Sequence, residues 1–246
     1  MIIENDDQLE KLFVIGHLCR DILHRMLDAV RPGITPLELD AIAAKMFEEA
    51  GGVSAPILAY DFPGQTCISV GTAVAHGIPD ERPLVEGEMI NIDVSGMKDG
   101  YFGDLGASRV VGQASEEQAK LLAATKEAQF KGMMAAKAGQ PINAVGKAVE
   151  KVASKGGYKI IEGLTGHGVG GFIHEEPTIP NVYKRGLRKK LQKGQVITVE
   201  PFLTTHSRDY VEDLDGWTLH LDKGGLGAQF EHTFVVTDGA PIIITK

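Results

Sequence analysis

Met89-Ile90-Asn91-Ile92-Asp93-Val94-Ser95-Gly96-Met97-Lys98-Asp99-Gly100-Tyr101-Phe102-Gly103-Asp104 is the stretch from which the fold is read. Ile90, Ile92 and Val94 alternate with Asn91 and Asp93, the period-two pattern of a strand with one packed face and Asp93 on the other. Met97-Lys98-Asp99-Gly100 carries turn chemistry, and Tyr101 to Asp104 reads as the returning strand of a hairpin. A two-residue turn at either Lys98-Asp99 or Asp99-Gly100 puts Asp93 and Asp104 on one face, roughly 5 to 8 Å apart. Carboxylates so placed repel each other unless a cation joins them; the plainer reading is two solvated acids on an exposed strand.

Working outward, Glu200 closes the alternating run Val196-Ile197-Thr198-Val199-Glu200-Pro201, and Glu231 interrupts Gln229 to Val236, where the adjacent His232 points to the opposite face as a packed structural histidine. His167 sits in Gly166-His167-Gly168-Val169-Gly170-Gly171, whose glycines allow positive φ and close approach to a ligand. A phosphate loop fits poorly there, because no GxGxxG and no terminal Lys-Ser/Thr is present. Asp93, Asp104, Glu200 and Glu231 thus interrupt runs that read as buried strand, where an unpaired charge costs several kcal/mol. Ordinary salt bridges are one remedy. Two divalent cations are the other, and four carboxylates with one imidazole suit Mn, Fe, Co or Zn in a two-metal hydrolase.

Apolar residues at three-four spacing from Asp6 to Val30 predict an amphipathic helix ended by Arg31-Pro32-Gly33. Thr35-Pro36-Leu37-Glu38 is a capping box that opens a second helix, stopping at Gly51-Gly52. The plan recurs: Ser115-Glu116-Glu117-Gln118 caps a long helix, Gly139-Gln140-Pro141 turns, and another helix ends at Gly156-Gly157. Gly33 and Gly139 are 106 residues apart, Gly52 and Gly157 105. Helices followed by strands, twice, predict an α+β fold in one domain, 1–246, with pseudo-symmetric halves of about 1–112 and 113–246.

A net charge of -8 argues against direct binding of nucleic acid or an anionic membrane. Cys19 and Cys67 are too few for a disulfide framework, no secretory signal is visible, and no run approaches 18 apolar residues. The expectation is an untethered cytoplasmic protein.

Seven segments together resemble the methionine aminopeptidases, in the shorter, first class of that M24-type family, over nearly the whole chain. They are Ala75-His76-Gly77-Ile78-Pro79-Asp80, Asn91 to Val94, Gly103-Asp104, Gly166 to Gly170, His174-Glu175-Glu176-Pro177, Thr198 to Pro201 and Gln229 to Thr233. The resemblance implies a pita-bread fold, two pseudo-symmetric halves curving an antiparallel sheet around a dimetal centre. It also implies removal of initiator methionine from nascent chains by a metal-bridged hydroxide. By the same carry-over Asp93 binds one metal, Asp104 and Glu231 bridge both, and His167 with Glu200 complete the second. Glu200 is the implied general base, and His76 and His174 the histidines that hydrogen-bond substrate. Ribosome association follows from the family's role, and a monomer is expected.

Alignment on these motifs nominates Phe62, Cys67, Phe202 and Trp217 for a methionine pocket, against ordinary core packing for each. Here the chain departs from the family. Ala55 to Tyr60 lacks the usual cysteine and tyrosine, Ile173 replaces a phenylalanine, and Leu105 replaces a small hydroxyl residue. An X-Pro peptidase of the same fold is the first alternative, although such relatives usually carry a sizeable N-terminal domain. A non-catalytic pita-bread binding protein is the second, and loss of a ligand would signal it.

Overall fold

The computed structural model describes residues 1–246. Helix α1 (Asp6–Ala29) starts where the Asn5 side chain accepts from the Gln8 amide, and buries Leu12, Ile15, Cys19, Ile22, Leu23 and Met26 along its inner stripe. Helix α2 (Pro36–Ala50) has the expected Thr35/Glu38 capping box and closes on Gly51 in the left-handed region. Helix α3 (Ala55–Tyr60) is too short to leave a periodic signal. Helix α4 (Glu116–Ala135) has the Ser115/Gln118 box, and α5 (Asn143–Gly156) closes on left-handed Gly157. The structural caps Gly51 and Gly157 are therefore 106 residues apart, the same offset as the turn glycines Gly33 and Gly139. The repeat is tighter by one residue than the Gly52 pairing suggests.

The strands Met89–Lys98 and Tyr101–Val110 pair from Met89 opposite Val110 to Lys98 opposite Tyr101. Asp99 and Gly100, both at positive φ, make the two-residue turn whose twist matches that of the flanking strands. Cys67–Val70 and Val53–Ser54 extend this sheet along Met89–Lys98. The second half builds a five-stranded sheet in the order Ile242–Ile243, His232–Val235, Val196–Val199, Gly166–Gly168, Glu175–Ile179. Two three-stranded sheets complete the set, and every strand pairing is antiparallel.

The strand expected over Gln229 to Val236 is divided into Gly227–Gln229 and His232–Val235. At the break, Phe230 bridges Ala107 and the Glu231 amide donates to the Gly106 carbonyl, so the second half is stitched to the hairpin beside Asp93, which lies opposite Gly106.

Each helix pair covers its own strands. Ile15, Cys19 and Ile22 of α1 with Leu39 and Phe47 of α2 pack on Ile90, Ile92, Val94 and Leu105. Met133 and Val145 pack on Ile197, Val199 and Phe234. A further cluster, Leu12, Phe102, Val196, Val235 and Ile244, joins the two halves, each such side chain contributing about 1.5–3 kcal/mol on full burial. No helix is long and apolar enough to cross a membrane.

Candidate metal centre

The two halves bring their acids to one place. Asp93 and Asp104 project from the hairpin, His167 from Gly166–Gly168, Glu200 from the end of Val196–Val199, and Glu231 from the break just described; all five line a single cavity of about 280 Å³. His167 Nε2 is 3.5 Å from both Asp104 Oδ2 and Glu200 Oε1. Ligand atoms of Asp104, His167 and Glu231 lie within 4.8 Å of one another.

Each group is aimed by its neighbours. His167 Nδ1 lies 2.9 Å from the Gly168 carbonyl, which can only accept, so Nδ1 carries the proton and Nε2 is left for a ligand. The glycines beside His167 lie in the strand Gly166–Gly168, and their service is the expected close approach. A Cβ on Gly166 would sit 2.5 Å from the Thr198 carbonyl oxygen, and one on Gly168 2.4 Å from that of Glu176. Thr198 Oγ1 accepts from the His167 amide and donates to Glu200 Oε1. Gln229 Nε2 donates to Glu231 Oε2 at 2.9 Å, and Gln229 in turn accepts from Asn91.

Four buried side-chain polar atoms lack a hydrogen-bond partner: Asp93 Oδ1, Asp104 Oδ1, Glu231 Oε1 and Asn181 Oδ1. Three of these belong to the expected ligands. A buried acceptor left unpaired costs about 1–3 kcal/mol, more when charged. Burial, with the charges of Asp104 and Glu200, holds Asp93 well above the usual carboxylate range; burial and the same neighbours do so for Glu231. Burial pushes Glu200 up to about 8, opposed by His167 and reinforced by Asp104. For Asp104 burial is outweighed by His167, and its pKa falls. Burial would lower His167, but the Asp104 and Glu200 carboxylates raise it. Oxygens short of partners, crowded around one imidazole, are a donor set that fits divalent cations of the first row.

His76 and His174 stand at the same cavity. His76 is held at φ 53, a left-handed conformation uncommon outside glycine that marks functional loops when the surroundings enforce it. Enforcement comes from Gly77, whose backbone pairs with Ile68 and Ser69 so closely that a Cβ there would lie 2.3 Å from the Ile68 oxygen. Burial lowers the pKa of His76, and burial with the neighbouring His167 pushes His174 down to about 4.

Phe62, Cys67 and Trp217 line the cavity, the Phe62 and Trp217 rings edge-to-face at 5.1 Å. Burial raises the Cys67 thiol, leaving it an apolar, protonated neighbour directly across the ladder from Asp93. Phe202 is not among the lining residues; it packs behind the site with Val74, Ala75, Ile161, Leu219 and Leu221. His232 turns away from the cavity to Thr245 Oγ1 at 2.9 Å. Tyr60 and Ser95 also line the cavity without having been singled out. Ser95 was readable as the residue two beyond Asp93 on the same strand face. Tyr60 closes the Ala55 to Tyr60 segment that departs from the family, but α3, six residues long, gave no periodicity to point to it. Asp40 of α2, buried, accepts from the Gln65 and Thr66 amides and from Thr66 Oγ1, fixing the loop that carries Phe62 to Cys67.

The sequence profile of metallopeptidase family M24 matches residues 10–238. A methionine aminopeptidase of Staphylococcus epidermidis is 41% identical over 248 residues, covering 100% of this chain and 99% of that protein. The crystal structure of methionine aminopeptidase from Rickettsia prowazekii superposes with a TM-score of 0.95 at 33% identity, covering 100% of both chains. The prolidase from Pyrococcus furiosus superposes at 0.78 with 22% identity and only 65% of its own chain covered, a likeness of fold alone. These neighbours share the pita-bread architecture expected from the sequence, two pseudo-symmetric halves with an antiparallel sheet covered by helices.

Proposed function

The chain belongs to metallopeptidase family M24, on the methionine aminopeptidase branch, and on that premise we propose that it hydrolyses the bond after the initiator methionine of nascent proteins, using two divalent cations. The observation that carries this reading is one cavity lined both by Asp93, Asp104 and Glu231, each with a buried oxygen lacking a partner, and by the apolar Phe62 and Trp217.

Asp93 would hold one cation, Asp104 and Glu231 both, and His167 with Glu200 the second; Co, Mn, Fe and Zn all suit the donor set. When bound, the cations supply Lewis acidity, acidifying a water and polarising the scissile carbonyl. Glu200, one oxygen steadied by Thr198, accepts the proton released in the attack and returns it to the leaving amine. His76 and His174 present N–H donors to the substrate amide and to the oxygen on which negative charge develops. Phe62, Trp217 and Cys67 receive the methionine side chain, whose sulfur gains from aromatic contact. Phe202 supports that wall from behind.

In this reading residues 1–246 work as one catalytic domain, with halves of about 1–112 and 113–246, in a cytoplasmic monomer. Nascent chains are met at the ribosome, as the family's role implies. The test is a panel of Met-Ala-Ser and an X-Pro peptide given to the metal-loaded protein. Methionine release from the first alone is expected. Cleavage only of the X-Pro peptide, or of neither, would overturn the assignment.

A further inference from the structure

Tyr60 ends α3 at the cavity mouth, and its Oη lies 2.6 Å from His174 Nδ1. The two rings are tilted at 41° with centroids 5.5 Å apart, so this is an end-on hydrogen bond between side chains rather than a stack. On its other side the His174 ring meets the edge of His167 at 4.3 Å. Nothing else pairs with His174 Nδ1, and Tyr60 makes no other side-chain hydrogen bond.

A neutral imidazole carries its proton on one nitrogen only, and the partner of the other nitrogen decides which. A phenol is the better donor and an unprotonated imidazole nitrogen the better acceptor, and a separation of 2.6 Å suits an O–H donor. Nδ1 is thus occupied as an acceptor, and the proton resides on Nε2. That is the tautomer the proposed reaction needs, since a bare Nε2 lone pair could not donate to the substrate.

We infer that Tyr60 is a positioning residue for His174, setting its tautomer and ring orientation so that Nε2–H is the donor presented to substrate. The inference rests on the aminopeptidase reading for its catalytic consequence, but its structural content is independent of it. Tyr60 does not touch the reacting atoms. The backbone of Asp61, the next residue, is in the left-handed region that terminates α3, so Tyr60 is the last residue of the helix.

The experiment uses the full chain labelled with ¹⁵N-histidine, with His174→Gln identifying the His174 signals. In the metal-free protein, long-range ¹H–¹⁵N correlation is expected to show His174 protonated at Nε2, and Tyr60→Phe to shift it toward a mixture of tautomers. In the metal-loaded protein, Tyr60→Phe is expected to lower kcat on Met-Ala-Ser about five- to ten-fold, the worth of one net hydrogen bond, with KM changed less than about two-fold. In the His174→Gln background, where no tautomer remains to be set, adding Tyr60→Phe should change kcat by less than about two-fold. A proton on Nδ1 in the unaltered protein would overturn the inference, as would equal losses in both backgrounds, the mark of a merely structural tyrosine. If Met-Ala-Ser is not cleaved at all, the aminopeptidase reading fails while the tautomer spectrum still decides this one.

Discussion

Asp104 lies opposite Ser95 across the hairpin, two positions from Gly106, the residue opposite Asp93, so the two aspartates are diagonal neighbours on one sheet face. Both are buried enough to leave an oxygen without a hydrogen-bond partner. The turn at Asp99-Gly100 sets this relationship, because a slip of one residue would send one carboxylate to the opposite face.

Removing one of these charges separates stability from function. Asp93→Asn keeps the shape and relieves repulsion from Asp104 and Glu200, so the metal-free protein should be more stable at pH 8 in urea unfolding. The same variant should lose cation affinity by calorimetry. A variant less stable than the parent would show that Asp93 is satisfied without metal.

The metal-free protein should lose stability as pH rises from about 6.5 to 8. Glu200 has a folded pKa of about 8 against an ordinary 4.5, so its contribution is fully present below 4.5 and is lost as pH climbs through 8; Asp93 and Glu231, also raised, act in the same direction. His174, lowered to about 4, acts oppositely, but only between 4 and its ordinary 6.5. Above 6.5 the carboxylates prevail, at roughly 2 kcal/mol for Glu200 alone. Urea unfolding across this range checks it, and saturating divalent cation should flatten the slope. A stability rising from pH 6.5 to 8 without metal would contradict the assignment of these groups.

His76→Ala and His174→Ala should each lower kcat on Met-Ala-Ser about 10²-fold, the usual scale for losing one oxyanion donor, with bound-metal content unchanged. Loss of metal in either variant would make it a ligand instead.

Phe62→Ala and Phe202→Ala should part company. Phe62 lines the cavity edge-to-face with Trp217, so its loss should raise KM for Met-Ala-Ser with a modest change in Tm. Phe202 is 4% exposed inside the cluster behind the site, so its loss should cost about 3–5 kcal/mol of stability. Equal KM effects would place both in the pocket.

What could be read from the sequence divides along physical lines. The helix pairs were legible because capping boxes and left-handed glycines are local signals, and Asp93, Asp104 and Glu200 because a charge stands out in an alternating apolar strand. Glu231 was legible as a residue but not as a strand break, since the break depends on Phe230 bridging Ala107 more than 100 residues away. Gly166 and Gly168 signalled close approach, and the backbone they meet is that of Thr198 and Glu176. Tyr60 was hidden because α3 is too short for periodicity and its partner His174 is 114 residues away. Phe202, nominated by its place after Glu200-Pro201, lies behind the cavity wall, because the strand Phe202–Thr204 directs it to the neighbouring core cluster.

The most direct test of a two-cation aminopeptidase is titration of the chelator-stripped protein with Co, Mn, Fe or Zn while methionine release from Met-Ala-Ser and heat of binding are followed together, with Asp104→Ala alongside. Two equivalents bound, activity appearing with them, and neither in the variant is the predicted result. Methionine release that persists in the stripped protein, or in Asp104→Ala without metal, would contradict it.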